Sequence, residues 1–294
     1  MKRTRGTKLA LLLFASTATL GAVLGGERRQ AAPDQHRAGA SVVSSSLLAP
    51  SRAPAARLRL LVPAYFYPEG AGQRYWEALG EAARRVPVTA IMNPASGPGT
   101  AEAGPDPRYT ATLARARGAG VKVIGYVSTD YARRDAAAVM AEADRYAALY
   151  PGIQGIFFDE QPSADAQVPY YRALYEHVKA RDSAALVVTN PGTSMGPAYL
   201  DAPAADVACI FENSHGFESY QPPDWVAKRG RDHAAALCYN IPDAAAMRRC
   251  LDLARQRNLG WVYVTDDRGR NPWDTLPTYW SEEVAAVGRR SGSR

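Results

Sequence analysis

The stretch Ile153-Gln154-Gly155-Ile156-Phe157-Phe158-Asp159-Glu160 is a short, nearly continuous apolar run that stops at two adjacent carboxylates. A run of that length, without strict alternation, suits a strand of a parallel sheet covered on both faces. Seven more runs of the same kind occur, at Arg59–Ala64, Val88–Met92, Val121–Val127, Leu186–Thr189, Val207–Phe211, Ala234–Tyr239 and Trp261–Thr265. Between them, apolar residues spaced by three and four predict helices over Tyr75–Arg85, Pro107–Arg117, Asp135–Leu149, Tyr170–Ala180 and Ala244–Arg257. Asp106-Pro107 opens the second of these with a capping carboxylate and a proline at the first helical position, and Gly118 follows its end. The segments after the fifth and sixth runs read as weaker helices with loop character. Eight strand–helix repeats in roughly 235 residues predict an α/β chain folded as a single (β/α)8 TIM barrel. The rival, a doubly wound sheet, carries a glycine-rich phosphate-binding turn after its first strand. Here that strand runs into Pro63-Ala64-Tyr65-Phe66-Tyr67-Pro68, so no nucleotide partner is expected.

Charge gives the domain plan. The 294 residues carry a formal net charge of +6, which taken whole suggests an anionic partner. Residues 1–57, however, hold nine basic and two acidic residues, a net of +7, so residues 58–294 together carry −1. Without Arg289, Arg290 and Arg294 the body carries −4. The basic excess belongs to the ends, and no nucleic-acid partner is expected. Lys2, Arg3, Arg5 and Lys8 precede an apolar run from Leu9 to Leu24, diluted by Ser16, Thr17, Thr19 and Gly21. This reads as an export signal over residues 1–26, too short for a comfortable bilayer span. Retained, it would act as a signal anchor, the one membrane association the sequence suggests. Residues 27–57 are rich in Ala, Ser, Pro and Arg and read as a disordered linker. The barrel is expected over 58–288, a basic tail over 289–294, the location outside the cell or on its surface, and the state a monomer. Cys209, Cys238 and Cys250 have no regular spacing and read as buried free thiols. No CxxC or HExxH occurs, so neither zinc nor any other cofactor is expected.

A barrel concentrates its chemistry at the C-terminal ends of its strands, and polar residues gather there. Tyr65 and Tyr67 follow strand one and Asn93 follows strand two. Tyr126, Ser128 and Asp130 end strand three, Asp159 and Glu160 strand four, and Asn190 strand five. Glu212 ends strand six, Tyr239 and Asn240 strand seven, and Asp266 and Asp267 strand eight. Hydrolysis of a glycosidic bond needs two carboxyl groups, one to protonate the leaving oxygen and one to attack or to activate water. Strands four and six are two apart, so their ends lie about 10 Å apart at Cα. Inward side chains can close that gap to either separation used by glycosidases, and the sequence leaves the choice open. Asp159 also suits a helix N-cap, Glu212 a structural ion pair, and Glu160 a supporting role, since neighbours on a strand face opposite ways. Sugar sites combine aromatic platforms with Asn and Asp hydrogen bonds. Tyr65, Tyr67, Tyr126, Trp261 and Trp273 are the aromatic candidates. Asn93, in Asn93-Pro94 ahead of Ser96-Gly97-Pro98-Gly99, serves either as a ligand contact or as part of a rigid turn.

Several motifs in order then point to a family. They are Leu61-Val62-Pro63-Ala64-Tyr65-Phe66-Tyr67-Pro68, Asn93-Pro94-Ala95-Ser96-Gly97-Pro98-Gly99, Gly125-Tyr126-Val127-Ser128-Thr129-Asp130-Tyr131, Gly155-Ile156-Phe157-Phe158-Asp159-Glu160, Thr189-Asn190-Pro191-Gly192 and Phe211-Glu212. From Leu58 to Trp280 the chain resembles the spherulin-4-like (spherulation-specific) family, akin to glycoside hydrolase family 135. The resemblance implies a (β/α)8 glycoside hydrolase that cuts α-1,4-linked galactosamine or N-acetylgalactosamine exopolysaccharide of biofilm or cell wall from within the chain. It implies Asp159, Glu160 and Glu212 as the acidic trio, with Asp159 as nucleophile, Glu212 as acid/base and Glu160 orienting them. The first two roles are exchangeable at this point, and a retaining outcome is expected. Substrate contacts are expected from Tyr65, Tyr67, Asn93, Tyr126, Asp130, Asn190, Tyr239 and Asp266. If the sugar carries a free amine, Asp130 and Asp266 would select it by charge. The chain departs from the family in its N-terminal linker and in the loop Asp266–Trp273, whose Arg268 and Arg270 bear on substrate preference. The same barrel would also serve as a non-catalytic polysaccharide-binding protein, a reading the intact trio disfavours. A third reading makes Asp130, Asp159 and Glu212 oxygen ligands of a divalent metal.

Overall fold

A computed structural model describes residues 57–289. The expected export signal, nearly all of the linker and residues 290–294 of the tail lie outside the described residues. Eight parallel strands close into a barrel in sequence order, β1 (Arg59–Ala64), β2 (Val88–Met92), β3 (Lys122–Ser128), β4 (Gly155–Asp159), β5 (Leu186–Thr189), β6 (Val207–Asn213), β7 (Ala234–Cys238) and β8 (Trp261–Val264). The helices between them are α1 (Ala71–Ala83), α2 (Pro107–Gly118), α3 (Ala136–Leu149), α4 (Val168–Arg181), α5 (Ala198–Asp201), α6 (Asp224–Arg229), α7 (Ala244–Gln256) and α8 (Trp280–Gly288). The chain is therefore a single (β/α)8 barrel. Each strand is buried along nearly its whole length, because its inward side chains fill the barrel and its outward ones meet the helices.

The helix starts follow from local chemistry. Asp106 Oδ1 accepts from Arg108 N at 2.8 Å, Asp135 Oδ1 from Ala137 N at 2.8 Å and Asp243 Oδ1 from Ala246 N at 2.8 Å. These caps satisfy amides that the first turns of α2, α3 and α7 leave unpaired. Helix α1 has no side-chain cap and begins a turn before the predicted Tyr75. A Cβ at Gly72 would lie 1.9 Å from the Tyr67 carbonyl oxygen, so the chain turns back on itself there only because residue 72 lacks one. The weak helices after β5 and β6 are four and six residues long, leaving long loops over that side of the mouth.

Buried tyrosines tie the helical ring to the strands. Tyr146 on α3 is fully buried. Its hydroxyl donates to the Met92 carbonyl at 3.0 Å and accepts from Tyr126 N at 3.2 Å, so one polar tip joins the ends of β2 and β3. Burying a side chain of this size contributes about 1.5–3 kcal/mol, provided its hydroxyl keeps a partner. The ring lies against Gly125, where an added Cβ would meet three ring atoms at 2.7–2.8 Å. Gly125→Ala is therefore expected to displace Tyr146 and to destabilise the protein by about 1–3 kcal/mol through overpacking. Chemical denaturation reads this as a lowered midpoint, and an unchanged midpoint would contradict the packing described.

Candidate active site

Asp159 is the last residue of β4 and pairs in register with Ser128 at the end of β3. Asn190 follows β5, and its backbone N donates to the Phe158 carbonyl at 2.9 Å, which sets the side chain beside Asp159. Its Nδ2 donates to Asp159 Oδ1 at 2.8 Å and to Glu212 Oε2 at 2.5 Å. Laid end to end these bonds span about 5.3 Å, so the two carboxylate oxygens lie no further apart than that. The Asn190 Oδ1 accepts from Gly192 N at 3.0 Å, which fixes which way the amide faces. Tyr126 lies beside Asp159 and Trp273 beside Glu212, each favouring the charged form of its carboxyl neighbour.

Two irregularities of backbone assemble this group. In β6 the pairing with β7 slips between Cys209 and Phe211, leaving Ile210 as an extra residue. A bulge of one residue exchanges the faces of all that follows, and here it turns Glu212 toward Asn190 and Asp159. At the end of β4, Glu160 has φ 60°. A regular strand would send its side chain opposite to that of Asp159. The left-handed turn brings it instead to Ser128 Oγ, and its Oε2 also accepts from Asp130 N at 3.1 Å. Glu160 thus holds the β3 loop beside the pair and is not itself in the hydrogen-bonded bridge.

Burial dominates the electrostatics. Glu212 is pushed up to about 7, first by loss of water and then by the charge of Asp159, against the opposing hydrogen bonds of Asn190 and Trp273. Asp159 is also raised by burial, but it has more bonds favouring its charged form, from Asn190, the Glu160 backbone and Tyr126. The arrangement is a close pair in which burial raises both carboxyl groups and more bonds favour the charged form of Asp159 than that of Glu212.

The expected aromatics divide. Tyr65 packs edge-on against Tyr126 at 5.6 Å, and Tyr239 edge-on against Trp273 at 5.6 Å, so both border the pair through a residue that touches it. Tyr67 is exposed and its hydroxyl donates to Asp106 Oδ2 at 2.9 Å, which places it on the rim beside α2. Trp261 begins β8, at the opposite end of the barrel, under Arg59 and bonded to the Asp232 carbonyl. Among the polar candidates, Asn93 Oδ1 accepts from Gly97 N at 2.8 Å and so braces its own turn. The Asp130 carboxylate pairs with Arg133, and both oxygens of Asp266 are taken by Thr278. Among the described residues, no group of three or more His, Cys, Asp or Glu side chains is placed to hold a metal ion. All three cysteines are buried free thiols. Trp273, an aromatic candidate from the sequence, lies beside Glu212, although its loop has no regular register to the barrel.

Residues 59–287 match the spherulation-specific family 4 (Spherulin4). Spherulin-4 of Physarum polycephalum is 34% identical over 240 residues, 78% of this chain and 70% of that protein. A crystal structure of Aspergillus clavatus Sph3 in complex with GalNAc is 28% identical, superposes with a TM-score of 0.67 and covers 81% of this chain and 99% of its own. An alpha-amylase from Lactobacillus plantarum, 10% identical with a TM-score of 0.50 over 79% of each chain, shares the barrel alone.

The buried pair carries a stability cost with a definite sign. Glu212 has a folded-state pKa above its unfolded value, so the cost is absent below about pH 4.5, where both states are protonated. It grows as pH rises toward 7 and is constant above. Glu212→Gln keeps the acceptor for Asn190 and removes the charge. It is expected to stabilise the protein at pH 8 by about 2–3 kcal/mol and to leave it nearly unchanged at pH 4. Denaturation at both pH values measures this, and equal shifts at the two would contradict it.

Proposed function

Because the chain belongs to the spherulation-specific family 4 and is glycoside-hydrolase-like in its barrel and close carboxyl pair, we propose that it is an exported, endo-acting glycoside hydrolase of α-1,4-linked galactosamine or N-acetylgalactosamine polymers. The observation that carries the reading is the Asn190 bridge, which keeps the Asp159 and Glu212 oxygens within about 5.3 Å. Retaining glycosidases hold their carboxyl groups ~5–5.5 Å apart, whereas inverting ones leave ~6.5–9.5 Å for a water. The spacing supports retention. The GalNAc bound by Sph3 supports the sugar class. The basic, apolar N-terminus supports export.

In this mechanism Glu212, protonated near neutral pH, donates its proton to the glycosidic oxygen as the bond to C1 breaks. Asp159, whose charged form is favoured by Asn190 and the Glu160 backbone, attacks C1 and forms a glycosyl ester. Glu212, now a carboxylate, takes a proton from water, whose oxygen attacks C1 and releases Asp159. The raised pKa of Glu212 supports its role as the acid, since a general acid must still hold its proton at the working pH. Asn190 stays bonded to both groups, which fixes their orientation and spreads the negative charge as it moves between them. Tyr65, Tyr126, Tyr239 and Trp273 offer ring faces and edges to the apolar side of the pyranose.

Incubating the protein with acetylated and deacetylated α-1,4-galactosamine polymer, with products identified by mass, is expected to show internal cleavage of at least one. Glu212→Gln should lower kcat about 10²–10⁴-fold, the usual contribution of a general acid, and Asp159→Asn by at least as much. Normal release of reducing ends by either variant would overturn the assignment. The pH profile of kcat/KM should be a bell. Its alkaline limb falls above about pH 7 as Glu212 loses its proton, and its acid limb lies above the ordinary aspartate range as Asp159 gains one. A rate that stays level from pH 5 to pH 9 would contradict it.

A further inference from the structure

Asp130, Tyr131 and Ala132, directly after β3, have φ 48°, 55° and 63°. Three successive non-glycine residues in the left-handed region are unusual, since each costs roughly 1–2 kcal/mol relative to the right-handed form. Such a turn persists only where its surroundings hold it. Here they do. Asp130 N donates to Glu160 Oε2 at 3.1 Å and Arg133 N to the Asp130 carbonyl at 3.0 Å. Arg134 Nη1 donates to the Ser128 carbonyl at 2.6 Å, and its Nη2 to Glu142 Oε1 at 2.6 Å. The product of this bracing is an aromatic ring displayed to solvent. Tyr131 is 53% exposed, one of two large hydrophobic side chains so placed among the described residues. The other, Tyr67, has its hydroxyl tied to Asp106, whereas no core packing accounts for Tyr131. The Arg133 guanidinium lies 5.7 Å from the Tyr131 ring centroid and backs the ring, itself paired to Asp130. The residue before the ring, Asp130, is bonded through its N to Glu160, the neighbour of Asp159. After burial, the charges of Glu160 and Asp159 are what raise the Tyr131 phenol.

We propose that Tyr131 is a stacking platform for a pyranose ring of the glycan chain, next to the bond that is cut, and that the left-handed turn exists to present it. A ring exposed on one side and backed by a guanidinium on the other offers a flat apolar face to the C–H face of a sugar. Glu160, through Asp130 N, links the platform to the strand that carries Asp159. The platform therefore has a fixed place relative to the nucleophile, as a sugar unit adjoining the scissile bond requires. The identity of the polymer rests on the hydrolase reading above, but stacking does not depend on turnover.

The test measures binding of acetylated and deacetylated α-1,4-galactosamine oligosaccharides in the Asp159→Asn background, and KM and kcat in the active protein. Tyr131→Ala and Tyr131→Leu should each weaken binding about tenfold and raise KM alike, with kcat within about twofold. Tyr131→Phe and Tyr131→Trp, which keep a ring, should bind within about twofold of the parent. Unchanged binding in the alanine and leucine variants overturns the platform. So does a phenylalanine variant as weak as alanine, because the hydroxyl would then be the contact. Binding without cleavage by the wild type would defeat the hydrolase reading, while the same four variants would still show whether the Tyr131 ring stacks. No binding of either oligosaccharide would overturn the platform as stated.

Discussion

One side-chain amide, that of Asn190, lies between two half-buried carboxyl groups and donates to both. Two carboxylates this close and largely withdrawn from water cannot both ionise at neutral pH without an electrostatic cost. The amide lowers that cost for a charge on either group, and the Glu160 backbone favours the charge on Asp159. The Asn190 oxygen is held by Gly192 N, so the donating nitrogen faces the pair. The amide is thus oriented by a backbone segment that also meets β6, where Glu212 N donates to the Gly192 carbonyl at 3.0 Å. Remove this arrangement and neither carboxyl group keeps its fixed orientation toward the other.

The regular barrel alone would not produce it. Asp159 reaches the mouth by ordinary strand alternation, but Glu212 needs the extra residue in β6 and Glu160 needs a left-handed turn. Left-handed non-glycine residues gather after β2, β3, β4 and β7, at Ser96, Asp130–Ala132, Glu160 and Asn240, with only Asn258 at the opposite end among the described residues. Buried tyrosines such as Tyr146 give the strand ends the rigidity that such strained turns require. The body that carries the site is acidic once the ends of the chain are set aside, which suits a polymer bearing free amines.

The strands were legible because a strand buried on both faces must be apolar throughout. β1, β2 and β5 coincide with the apolar runs at Arg59–Ala64, Val88–Met92 and Leu186–Thr189, and the others differ by a few terminal residues. Asp159, Glu212 and Asn190 were legible as a group for the same reason, because each directly follows such a run. What was hidden depends on backbone geometry that periodicity does not encode. Nothing in Ala208-Cys209-Ile210-Phe211 announces a bulge, and nothing in Asp159-Glu160 announces a positive φ. Likewise, whether a polar residue at a strand end is free or already engaged depends on loops that fold over it. Asn93, Asp130 and Asp266 follow strand ends, yet Gly97 and Arg133 each engage one polar atom of the first two and Thr278 both oxygens of the third.

The central claim is that a close carboxyl pair makes cleavage a double displacement. Proton NMR of the anomeric configuration of the first-formed reducing ends tests it most directly, recorded before mutarotation while an α-1,4-galactosamine oligosaccharide is being cut. The close pair predicts that the α-anomer appears first and the β-anomer grows in later. A β-anomer that appears first would mean a single displacement by water, and would contradict the account.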